Sequence, residues 1–85
     1  MTEININRGD FILSLAGRDS GHVFIVADII DSEYVTLTDG MLRSVEKPKK
    51  KKRKHLKRID IPSYDGIMSN RAVSKTVKDV TASLS

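Results

Sequence analysis

The chain has no cysteine, which excludes disulfides, thiolate metal sites and cysteine nucleophiles together and fits a reducing compartment. It has no tryptophan and only two Phe and two Tyr in 85 residues, too few to line a deep substrate pocket. Long hydrophobic stretches are missing as well. The longest mostly apolar run, residues 23–30, falls far short of the ~20 residues that span a bilayer. The opening Met-Thr-Glu-Ile-Asn lacks the basic and apolar segments of a signal peptide, so the expected location is the cytoplasm. Residues 47–58 contain no acidic residue at all.

That acid-free segment, Lys-Pro-Lys-Lys-Lys-Lys-Arg-Lys-His-Leu-Lys-Arg, holds nine of the fifteen Lys and Arg residues. The rest of the chain carries six basic and eleven acidic side chains, so the net charge of +4 describes one segment on a mildly acidic body. A run this dense repels itself and lies flat only against a polyanion, of which nucleic acid is the commonest in the cytosol.

Residues 9–45 show short β-branched runs closed by turn residues, a strand pattern. The first strand is expected over residues 11–16, with Phe11, Leu13 and Leu15 on one face, ending at the Gly17-Arg18-Asp19-Ser20-Gly21 loop. Residues 23–30 are apolar on both faces, as a central strand covered on each side should be. A third strand over 33–38 places Val35 and Leu37 on one face. Asp39-Gly40 then reads as a two-residue hairpin turn that pairs Thr38 with Met41, Leu37 with Leu42 and Val35 with Ser44, giving a fourth strand over 41–46. The basic run becomes a long exposed insert before a fifth strand over 55–61. Five short strands with tight turns suggest a small, partly open β-barrel over residues 1–61. A loop over 62–69 leads to a C-terminal helix or tail over 70–85. There Val73, Val77, Val80 and Leu84 form a helical stripe over about 70–81, and Ser69 or Asn70 caps its start. Such a helix is weak unless the stripe docks on something.

Residues 9–31, Gly-Asp-Phe-Ile-Leu-Ser-Leu-Ala-Gly-Arg-Asp-Ser-Gly-His-Val-Phe-Ile-Val-Ala-Asp-Ile-Ile-Asp, resemble a KOW motif, with Gly21 at the loop glycine between its first two strands. With the Asp39-Gly40 turn and Lys54-His55-Leu56, the region from Arg8 to Ile61 resembles KOW-domain proteins related to the fourteen-e type of archaeal and eukaryotic large-subunit ribosomal protein. The resemblance implies an SH3-like barrel that binds ribosomal RNA, without catalytic activity. The loop departs from the family pattern in carrying one cation, Arg18, with Ser20 and His22 flanking Gly21.

The candidate RNA-contacting residues are Arg18, Arg43, Lys47, Lys49, Lys50, Lys51, Lys52, Arg53, Lys54, His55, Lys57 and Arg58. Gly17, Gly21, Asp39 and Gly40 are expected to shape the turns. The lysines are too close in sequence to face one way, which suits insertion between two backbone strands of a folded RNA. Asp10, Asp19, Asp31 and Asp39 sit at turns, where side-chain bonds to backbone account for them. Asp28 lies within an apolar strand and marks either its end or a satisfied polar edge. Tyr34 reads as strand packing and Tyr64 as a loop residue. His22 and His55 stand 33 residues apart with no cysteine or carboxylate at ligand spacing, so no metal is expected, nor any cofactor or small-molecule substrate. Two functions fit: a ribosome-associated module binding structured RNA, with neighbouring ribosomal proteins as further partners, and an SH3-like protein-interaction module whose basic segment meets an acidic partner or anionic membrane. Membrane anchoring lacks the second, apolar signal that it usually takes.

Overall fold

A computed structural model describes residues 5–84, so the expectations that touch residues 1–4 and 85 lie outside the described residues. Five strands, β1 (Phe11–Ser14), β2 (Val23–Ile29), β3 (Tyr34–Thr38), β4 (Lys49–Lys52) and β5 (Leu56–Arg58), precede one helix, α1 (Asn70–Ser83). They form an antiparallel sheet in the order β4-β3-β2-β1-β5. The two edge strands, β4 and β5, are joined by a single 3-10 turn, Arg53–His55. So short a link between opposite edges requires a curled sheet. The turn itself ties the curl, since the Arg53 amide donates to the Glu33 carbonyl ahead of β3 and the Leu15 amide donates to the His55 carbonyl.

Strand alternation divides the apolar residues between two cores. Inside the curl lie Ile6, Ile12, Phe24, Val26, Val35, Leu37 and Leu56. On the outer face Phe11, Val23 and Ile25 meet Val73 and Val77 of α1, with Ile59, Ile61, Tyr64 and Val80 packed around them. β2 is therefore covered on both sides, as its apolar sequence requires. Its register slips at Ala27, where Val26 opposes Leu37 but Asp28 opposes Thr36. The extra residue turns Asp28 outward, where it is exposed and 4.0 Å from Arg8.

Several expectations change. β1 stops at Ser14, leaving Leu15 exposed, and β5 ends at Arg58, with Ile59 and Ile61 beyond it. The expected fourth strand over 41–46 is a loop, and the pairs Thr38–Met41, Leu37–Leu42 and Val35–Ser44 do not form. The cause is Asp39. Its carboxylate is buried and must find donors, and Oδ1 takes the amides of Met41 and Arg43 at 2.9 Å each. The Asp39 and Gly40 amides and the Thr38 hydroxyl all donate to the Arg43 carbonyl. This closes a compact loop instead of a two-residue turn, and Leu42 projects outward, 78% exposed.

The fourth strand is instead the lysine run itself, with Leu37, Thr36, Val35 and Tyr34 opposite Lys49, Lys50, Lys51 and Lys52. The run is part of the sheet, not an insert. Lysine is a poor strand former, but an edge of lysines resists pairing with other chains.

Helix α1 extends two residues past the expected end and docks in the free chain. Ser69 is the cap, its hydroxyl accepting from the Ala72 amide. Asn70 serves the neighbouring loop instead, for its side chain accepts from the Val45 amide and donates to Glu46, pinning the 39–48 loop to the helix. Gly40 allows the contact, for a Cβ there would stand 2.4 Å from the Asn70 carbonyl oxygen, at φ +74°. Leu84, the end of the predicted stripe, is exposed.

Candidate nucleic-acid interface

Because β4 is a strand, its lysines sort by parity. Lys49 and Lys51 oppose Leu37 and Val35 and so share the inner face. Their ammonium groups converge on Asp19 of the β1–β2 loop, Lys49 Nζ at 3.0 Å from Oδ2 and Lys51 Nζ at 2.9 Å from Oδ1. Lys51 Nζ also donates to the Ala16 carbonyl at 2.8 Å. These groups are shielded, with the Asp19 side chain 13% exposed and that of Lys51 10%. Burial alone would raise the Asp19 pKa, but hydrogen bonds from Lys51 and Lys49, and their charges, hold the carboxyl far below the usual range.

Lys50 and Lys52 face the other way. Lys50 Nζ lies 4.5 Å from the centroid of the Tyr34 ring and Lys52 Nζ 5.9 Å, so the two straddle an aromatic face that favours cations. Neither has a carboxylate at ion-pair distance among the described residues. Lys50 does feel the exposed carboxylate of Asp31 at longer range. Amides of Glu33 and Tyr34 bond its carboxylate and lower its pKa, and the positive fields of Lys50 and Arg53 lower it further.

The remaining candidates are spread around this edge. Lys47, Lys54 and Lys57 are exposed and unpaired among the described residues, Lys57 on the outer face opposite Leu13. Arg53 is half-buried, and its Nε has no partner among the described residues. His55 is half-buried in the 3-10 turn and contributes its carbonyl to the fold. Arg58 is held by Asp10 at 3.3 Å and lies 3.8 Å from Asp60. Thus three of the nine cations in the run, Lys49, Lys51 and Arg58, are answered by carboxylates from elsewhere in the chain.

Arg18 and Arg43 stand apart from the lysine row, on the rim of a cleft of about 540 Å³ between the β1–β2 loop and the 39–48 loop. Gly21 and Gly17, at φ +85° and +84°, carry the β1–β2 loop around; nothing stands within 4 Å of a Cβ at Gly21, so its requirement for glycine is conformational. His22 enters the cleft wall in a fixed orientation. Its Nε2 lies 2.8 Å from Asp39 Oδ2, and its ring packs 4.7 Å from that of Phe24. Burial works to raise the Asp39 pKa, but the Arg43 and Met41 amides and His22 outweigh it and the pKa is lowered.

Asp10, Asp31 and Asp39 bond backbone amides as turn residues should. Asp19 does not, and its role as the counter-charge for two lysines escaped the sequence reading. A signal did exist: inward-facing lysines in a strand need an acid, and residues 17–21 form a loop with a single one. No family model matches this chain, and no curated protein is significantly similar to it.

Proposed function

We propose that this chain is a non-catalytic RNA-binding protein that associates with ribosomal or similarly structured RNA in the cytoplasm through the outward side of its lysine edge. The observation that carries the reading is the sorting of β4: Lys50 and Lys52 point out over Tyr34 with no carboxylate at ion-pair distance among the described residues, while Lys49 and Lys51 are answered by Asp19. A fold that supplies one acid for two lysines on the inside, and none at ion-pair distance outside, leaves a cationic row for an external polyanion.

An SH3-like barrel of the KOW kind is the finer reading of the fold. It draws support from the four-strand meander, the 3-10 turn before the last strand, the return of β5 to β1, and the positive φ of Gly21 in the β1–β2 loop. Phosphate contact along the edge would come from Lys47, Lys50, Lys52, Lys54 and Lys57. Base-specific recognition is not part of the row, since the Tyr34 ring is already occupied by lysines.

The test is a salt titration of binding to a folded ribosomal RNA fragment. About five phosphate contacts give a slope of roughly −4.5 in log affinity against log salt. A slope near −1, or capture from cytosol that survives ribonuclease, would assign the row to solvent or to an acidic protein instead.

A further inference from the structure

The cleft between the β1–β2 loop and the 39–48 loop does not belong to the lysine row, and its chemistry is different. We infer that it receives one unpaired nucleotide of the bound RNA, with the base against the His22 ring and the adjoining phosphate between Arg18 and Arg43. The inference rests on the RNA-binding reading above and adds a second mode of contact to it.

Three observations carry it. First, His22 is held as a platform: Asp39 fixes one ring nitrogen, Phe24 backs the ring, and 33% of the side chain remains exposed. Single-stranded RNA is recognised by stacking on such rings, histidine included. Second, Arg18 and Arg43 are exposed and have no acidic partner among the described residues. The carboxylates nearby are already used, Asp19 by two lysines and Asp39 by His22 and two amides. An anion entering the cleft therefore meets guanidinium groups free to bind it. Third, Leu42 gives the rim an apolar face, and the cleft volume of about 540 Å³ lies within the range that holds small organic ligands.

An RNA nucleotide fits better than a free anion because of where the cleft lies. Lys49 lines it from the inner side of β4, and Lys50 begins the outer row one residue further on, about 3.4 Å along the strand. A backbone lying along the row thus needs to pass only one edge strand to place an extruded nucleotide in the cleft.

The experiment compares two RNA hairpins of equal length and charge, one fully paired and one with a single-nucleotide bulge, by fluorescence anisotropy against the intact chain. The bulged hairpin should bind about tenfold more tightly, the worth of one stacked base. Arg18→Ala combined with Leu42→Ser and Arg43→Ala should abolish that preference. All three side chains are exposed, so the variant should keep its melting temperature. Independently of any variant, the amides of Gly21, His22 and Leu42 should shift in NMR spectra on adding the bulged hairpin and not the paired one. Equal affinity for both hairpins, a preference that survives in the triple variant, or unmoved cleft amides would each overturn the inference and leave the lysine row standing. Failure to bind either hairpin would overturn both.

Discussion

Two pairs of substitutions that remove the same charge should have opposite consequences. Lys50→Ala with Lys52→Ala strips the outer face of β4, and Lys49→Ala with Lys51→Ala strips the inner. For the outer pair, each lost phosphate contact removes about 0.9 from the log–log salt slope, or roughly eightfold in affinity at 0.1 M relative to 1 M salt. Binding to a fully paired RNA should fall about 60-fold at 0.1 M and its slope should become shallower by about 1.8. Stability should fall by less than for the inner pair, since the two cation–π contacts are worth about 0.5–1 kcal/mol each and less mutual repulsion offsets part of that. The inner pair leaves the shielded Asp19 carboxylate with only the Ser14 hydroxyl, at 3.2 Å, from its present side-chain partners. Stranding one member of a buried ion pair costs about 3–5 kcal/mol, and contact with water through the exposed part of Asp19 reduces this to about 2–3 kcal/mol. For a chain of this length that is a drop of about 10–20 °C in melting temperature, with little loss of paired-RNA affinity once the variant is held below its melting point. Thermal melts followed by circular dichroism, alongside anisotropy titrations, read both effects. If the inner pair lowers affinity as much as the outer and melts with the wild type, the lysines are not sorted by strand parity.

Gly21→Ala and Gly40→Ala share the strain of positive φ, about 1–2 kcal/mol each, but only at Gly40 would the new Cβ strike Asn70 and Ser74 of the helix, at 2.4 and 2.8 Å. Gly40→Ala should therefore melt clearly below Gly21→Ala, and equal melting temperatures would refute the close approach of loop and helix. Asp19 has a lowered pKa in the folded state, so its contribution to stability is complete above the ordinary carboxylate value near 3.9 and is lost as pH falls through the folded value. Urea unfolding at pH 5 and pH 2.5 should show a smaller acid-induced loss in Asp19→Asn than in the wild type; an unchanged loss would remove Asp19 from the account. Val77→Ala deletes two buried methyl groups at the junction of helix and sheet and should cost about 2 kcal/mol. Amides near Val77 should resist hydrogen exchange without RNA, and exchange at unfolded rates would show that the helix does not dock.

Much of the fold is written in local pattern. The double-sided apolar run at 23–30 reads as a central strand because burial on both faces leaves no polar alternation, and the valine stripe of the helix follows from the 3.6-residue period. What misled was Asp39-Gly40. The dipeptide favours a tight hairpin, but that signal takes no account of whether the aspartate will be buried. Once it is, its carboxylate collects the Met41 and Arg43 amides, the loop lengthens, and the fourth strand moves from residues 41–46 to the lysines. Propensity opposes lysine in strands, so only tertiary contacts, Val35 and Leu37 opposite and Asp19 across the curl, reveal why Lys49–Lys52 is one. The same displacement changes the candidate site. An exposed insert would offer its charges in all directions, whereas a strand divides them between two faces, and the free arginines of the cleft are brought together by loops that the sequence pattern did not relate.

Folding and the proposed binding make conflicting demands on the same strand. Side chains two apart in a strand are about 6.8 Å from each other along the backbone, within a Debye length of about 8 Å at physiological salt, so Lys50 and Lys52 repel one another whenever no polyanion is near. Tyr34 beneath them offers partial relief, and Asp19 relieves the inner pair. A second acid on the outer face would stabilise the free chain further, but it would also occupy the charges that a phosphate backbone would meet. The structure places its ion-pairing carboxylate on the shielded side, where it holds the curled sheet together, and leaves the outer lysines without an ion pair. That division is what separates a protective edge, for which neutralised and free lysines would serve equally, from a binding edge, for which only the free ones will do.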